Sequence, residues 1–87
     1  MEHYIIEVTD TYAGDANYSW VKRFKVKARS QRGAMIKFNR QEGFTRSLRK
    51  SFDTGEISRY DVQSACICVF VWHCTESEYN DSFYKEI

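Results

Sequence analysis

The longest apolar run in the chain is Ala65-Cys66-Ile67-Cys68-Val69-Phe70-Val71-Trp72. Its length suits a strand and falls far short of the ~20 residues that cross a bilayer. Side chains alternate between the two faces of a strand, so a run that is apolar at every position is apolar on both sides. It therefore predicts a central strand covered on both faces. A chain of 87 residues has few elements with which to meet that demand. It makes one domain (1–87) with a small core, burying about 60–65% of its unfolded surface. One helix can cover one face. The other needs the C-terminal segment, a second copy in a homodimer, or a partner.

The remaining elements are read around that strand. Tyr4-Ile5-Ile6-Glu7-Val8 predicts a first strand, followed by turn-formers from Thr9 to Asp15. Trp20 to Ala28 predicts a second, with Trp20, Phe24, Val26 and Ala28 on one face and Val21, Arg23, Lys25, Lys27 and Arg29 on the other. The intervening loop is longer than a tight hairpin needs. Ser30 is a good N-cap for a helix over 31–42, with Ala34, Met35 and Phe38 on its buried face and Gly43 past its end. Residues 44–52 fit helix or strand. The strand is favoured because Asp53-Thr54-Gly55 can turn the chain into a return arm, Ile57–Val62. Thr75 with Glu78 matches a capping box, and Tyr79, Phe83 and Ile87 lie four apart behind it, so a short C-terminal helix is the expected second cover. The fold class is α+β: a small, mainly antiparallel sheet, a mid-chain helix on one face and a short C-terminal helix.

Charge is segregated along the chain. Eleven of the thirteen Lys and Arg residues lie between Val21 and Lys50, opposed there only by Glu42, which leaves +10. The first twenty residues carry −4, and residues 51–87 carry two cations against seven anions, or −5. Such segregation attracts oppositely charged partners. Lys22, Arg23, Lys25, Lys27, Arg29 and Arg32 are the candidate contacts to nucleic acid, because same-face residues on a strand repeat every ~6.7 Å, about twice the charge spacing along one nucleic-acid strand. Glu76, Glu78 and Asp81 are the candidate contacts to a basic protein surface, such as a nucleic-acid channel.

No pattern supports catalysis or a cofactor. Asp53-Thr54-Gly55 matches the tripeptide of aspartic proteases, but Ser51-Phe52 precedes it, Glu56 follows at once and no later glycine exists, so it reads as a turn. Cys66, Cys68, His73 and Cys74 lack the knuckle spacing of a zinc site, and Cys66 and Cys68 read as small core hydrophobes. His3 and His73 have no acid or nucleophile at motif spacing. Asn17-Tyr18-Ser19 and Asn80-Asp81-Ser82 match the glycosylation sequon, which acts only in secreted chains. Met1-Glu2-His3 opens without the basic and apolar segments of a secretory signal, so the expectation is a soluble, cytoplasmic protein that does not enter membranes.

Glu7-Val8-Thr9-Asp10-Thr11-Tyr12, Asn17-Tyr18-Ser19-Trp20, Arg32-Gly33-Ala34, Arg59-Tyr60-Asp61 and Ala65-Cys66-Ile67-Cys68-Val69-Phe70-Val71 together resemble small phage and prophage accessory proteins. The resemblance implies a phage accessory role and brings no catalytic residues. Accessory proteins of this size include anti-CRISPR and other anti-defence inhibitors, which occupy a surface of a host complex.

Overall fold

The computed structural model describes residues 1–44, 48–62 and 65–87. Its elements run β1 (Glu2–Tyr12), β2 (Asp15–Ala28), α1 (Gln31–Glu42), β3 (Leu48–Asp53), β4 (Ile57–Val62), β5 (Ile67–Cys74), α2 (Glu76–Asp81) and β6 (Lys85–Glu86). The strands form one sheet in the order β3-β4-β5-β1-β2-β6. Every pairing is antiparallel except β6 on β2. The expected α+β architecture is present.

The apolar run lies in the interior of the sheet, as its pattern requires. β5 sits between β4 and β1, in register His3↔Cys74 through Asp10↔Ile67. Cys68, Val69 and Val71 have no exposed surface. The strand begins at Ile67, so Ala65 and Cys66 belong to the preceding turn and are exposed, contrary to the core role expected of Cys66. The register places Tyr4, Ile6 and Val8 of β1, Phe24, Val26 and Ala28 of β2, and Val69 and Val71 of β5 on one face. Ala34, Met35 and Phe38 of α1 close over them. The helix begins at Ser30, whose hydroxyl accepts the Gly33 N–H, and ends at Gly43, which adopts the left-handed φ of 75° that a side chain disfavours. Phe38 lies edge-on to Phe24 with centroids 5.9 Å apart, and 5.8 Å from Phe44.

The first two strands are longer than their apolar cores. A two-residue turn, Ala13-Gly14, joins them in place of the ten-residue loop expected. Both residues have positive φ (54° and 87°), which matches the twist of a hairpin. The polar residues that resembled a loop form an irregularity inside the hairpin. Thr9 pairs with Val21 and Thr11 with Ala16, so residues 17–20 stand opposite Asp10 alone. Side chains replace the missing ladder there. The Asp10 carboxylate accepts from Asn17 Nδ2 (2.8 Å), Ser19 N–H (2.9 Å) and Ser19 Oγ (2.6 Å). Thr9 Oγ1 accepts the Tyr18 N–H and donates to the Trp20 carbonyl, both at 3.0 Å. Bonds from Ser19 and Asn17 hold the Asp10 carboxyl far below the usual carboxylate range. Trp20, expected on the apolar face, sits at this irregularity and is 41% exposed.

Residues 45–47 of the ambiguous segment lie outside the described residues, and 48–53 is a strand. Asp53-Thr54-Gly55 is a turn. Asp53 Oδ1 accepts the Gly55 N–H at 2.8 Å, Thr54 Oγ1 accepts from Glu56 and Ile57, and Gly55 takes φ 87°. The C-terminal helix forms, with the Thr75–Glu78 capping box closed in both directions. It is shorter than the Tyr79–Phe83–Ile87 spacing predicts. Asn80, Asp81 and Ser82 favour local side-chain bonding over helix continuation. The chain then pairs along the β2 edge as β6, which leaves Phe83 fully exposed and packs Ile87 onto the α1 side of the core.

Candidate functional site

The sheet face opposite α1 carries the candidate site. Its strands present Ile5, Glu7 and Thr9 from β1, Arg23, Lys25 and Lys27 from β2, Phe70 and Trp72 from β5, and Arg59 and Asp61 from β4. Two covers lie over it. The β1–β2 tip reaches back, so that Arg59 Nη2 donates to the Gly14 carbonyl at 2.8 Å. α2 covers the other end, where Tyr79 (2% exposed) packs with Ile5 and Cys74 against Trp72.

The predicted basic row does not form one free surface. Lys22 pairs with Glu42 at 3.2 Å, and Arg23 with Glu7 at 2.9 Å while standing over the Tyr84 ring. Lys25 Nζ donates to the carbonyls of Tyr79 (3.0 Å) and Ser82 (2.9 Å), at the C-terminal end of α2, and lies 4.8 Å from the Tyr79 ring centroid. Lys27 Nζ lies 5.4 Å from the same ring. These lysines therefore anchor the C-terminal segment. A cation at the end of a helix also meets the negative pole of its dipole. Arg29 and Arg32 are exposed and have no ion pair among the described residues. Arg32 stands on α1, away from the anchored lysines.

The acidic candidates fall on α2. Glu76 is exposed in its first turn. Glu78 is committed to the cap, and the Thr75 N–H that it accepts holds its carboxyl below the usual value. Glu78 and Asp81 nonetheless rim an open trench of about 540 Å³ beside α2. Ile5, Trp72 and Cys74 line its apolar part, and Ser82, Phe83 and Tyr84 form the far wall. Phe83 is fully exposed and Tyr84 38% exposed. Sequence reasoning missed these aromatics because it placed Phe83 on a helix core face. The helix-breaking run Asn80-Asp81-Ser82 was the available signal.

Other titratable groups on this face are occupied. Arg59 pairs with Asp61 at 3.0 Å above the Phe70 ring. Burial raises the thiols of Cys68 and Cys74, which makes them poor nucleophiles. No three His, Cys, Asp or Glu side chains are grouped for a metal among the described residues. Among the same residues, no helix is long and apolar enough to cross a membrane. No family model, curated protein or solved structure matches this chain.

Acid sensitivity follows from carboxylates that hold the C-terminal segment and the β3–β4 turn in place. The Tyr79 hydroxyl, which donates to Glu86, keeps that carboxyl below its ordinary 4.5, helped by Lys27, Lys25 and Lys37. Asp53 is lowered by the Gly55 N–H and by Lys50. A carboxyl depressed on folding contributes stability above its unfolded pKa and loses it as pH falls through the folded value. Stability should therefore be level above the ordinary values of 4.5 for Glu and 3.8 for Asp and decline below them. Urea melts between pH 7 and pH 2 read this directly. A decline already complete at pH 5 would contradict it.

Proposed function

We propose that this protein acts without catalysis, by stoichiometric binding of a protein partner through the trench beside α2. The observation that carries the reading is Phe83, wholly exposed on the wall of an apolar-floored trench whose rim is Glu78 and Asp81. Exposed aromatics grouped over an apolar floor are the composition of an interface centre. Anions at the rim select a partner of opposite sign. The complementary surface carries an apolar side chain to meet Phe83 and Trp72, and a Lys or Arg whose stem lies along the trench while its charge reaches Asp81. Channels that bind nucleic acid present such surfaces. With the resemblance to phage accessory proteins, this makes an inhibitor of a host ribonucleoprotein complex, of the anti-CRISPR or anti-defence kind, the favoured role. Its setting is the host cytoplasm.

The test compares proteins retained from bacterial host lysate by the unaltered chain and by Phe83→Ala and Asp81→Lys variants. Phe83 packs on nothing that folding needs, and Asp81 is exposed with no ion pair among the described residues, so the variants stay folded. A stoichiometric partner should be retained by the unaltered chain. Each substitution should weaken its binding by about 2 kcal/mol, or roughly thirtyfold in Kd, the scale of an interface hot spot. Equal retention by all three proteins would refute the proposal.

A further inference from the structure

We infer that the outward face of α1 is a separate surface that binds duplex nucleic acid through its phosphates. The inference is independent of the trench, which lies on the other side of the sheet. No acidic residue occurs between Asp15 and Glu42. Within that span, folding engages Lys22, Arg23 and Lys25 in ion pairs or hydrogen bonds. Lys37 Nζ donates to the Lys27 carbonyl at 2.6 Å, while Arg29, Arg32 and Arg40 are exposed and have no ion pair among the described residues. Ala34, Met35 and Phe38 define the buried side of α1, so Arg32, Ile36 and Arg40, spaced four apart, lie along its outer side. At 1.5 Å per residue, Arg32 and Arg40 stand about 12 Å apart along the helix axis, comparable with the width of a DNA major groove.

The chemistry selects the occupant. Arginine forks match phosphate oxygens and keep their charge at every relevant pH. An acidic protein needs an apolar centre for affinity, and this face supplies only Ile36, which is 47% exposed. A single strand needs aromatic platforms. The large exposed aromatics among the described residues are Tyr12, Tyr18, Trp20, Phe52, Phe83 and Tyr84, none of them on α1. A duplex needs only spaced cations on a protruding element. Arg32 also borders a groove of about 390 Å³ between α1 and β3 whose other cation, Lys50, is paired with Asp53, so the free charge of this face rests on α1.

Fluorescence anisotropy with a labelled 25-base-pair duplex tests the inference on the full chain. Three to four phosphate contacts give a slope of log K against log salt near −3, and an affinity loss of roughly a hundredfold between 50 and 200 mM salt. The double variant R32E/R40E should weaken binding at least tenfold at 50 mM. R32Q/R40Q, which carries less risk to folding, should make the slope shallower by about 2. Phe83→Ala should bind the duplex as the unaltered chain does. The inference is overturned if the duplex does not bind at 50 mM salt, if neither double variant changes the slope, or if a labelled single strand binds more tightly. Competition by poly-glutamate as effective as that by unlabelled duplex would also overturn it, and would assign the face to an acidic protein.

Discussion

Phe38→Ala should destabilise the protein by about 3–5 kcal/mol, the range for deleting a buried phenyl ring. Phe38 has no exposed surface and sits between Phe24 and Phe44 at the centre of the α1–sheet contact. Among the described residues α1 is the one helix on this face, so no second helix can move in to fill the space. A domain of this size has a total stability on the order of 4–13 kcal/mol, so the variant should be marginally folded or unfolded at 37 °C. Urea melts followed by circular dichroism would show the midpoint fall at unchanged slope. A loss under about 1 kcal/mol would mean that α1 does not pack as described.

Lys25→Glu is expected to cost about 3 kcal/mol, by combining the loss of charge-assisted hydrogen bonds with a buried-edge repulsion. The lysine is bound to two carbonyls at the end of α2 and packed on Tyr79. A carboxylate there would face those same carbonyls and the nearby Glu86 that Tyr79 binds. α2 and β6 should detach, exposing Ile5, Cys74 and Tyr79. Lys25→Met keeps the packing and should cost about half as much. The expected readouts are a lower melting midpoint and faster proteolysis near Ser82 for Lys25→Glu. Equal stability of both variants and the unaltered chain would show that the contact contributes nothing. For function, reversing Lys25 and Lys27 cannot separate nucleic-acid binding from protein binding, since it also dismantles the trench wall. Variants at Arg32 and Arg40 on one side and at Phe83 and Asp81 on the other separate the two surfaces without touching the anchor.

Both proposed surfaces were only partly legible before folding. Arg29 and Arg32 stood in the predicted basic row and remain on the surface, while Lys22, Arg23, Lys25 and Lys27 in the same row are engaged within the chain. Strand alternation shows which side chains share a face but not what comes to rest against that face. Asp81 was found through its charge, whereas Trp72 was assigned to a buried run and Phe83 to a helix core. The apolar character of both residues was clear. Trp72 is half-buried under α2, and the exposure of Phe83 depended on where α2 stops.

Local chemistry determined the elements of this protein. Ser30 and Gly43 bound α1, Thr75 and Glu78 start α2, Asp53-Thr54-Gly55 turns β3 into β4, and the uniformly apolar run demands the interior of a sheet. Each of these acts over a few residues, at a range where side chain and backbone meet whatever the rest of the chain does. Tertiary structure alone decided that Asn17 and Ser19 clasp Asp10, that the segment after α2 lies along β2, and that the lysines of β2 hold it there. Those contacts join residues as far apart as Lys25 and Ser82. Their formation depends on sheet order and register, which no short stretch of sequence encodes by itself.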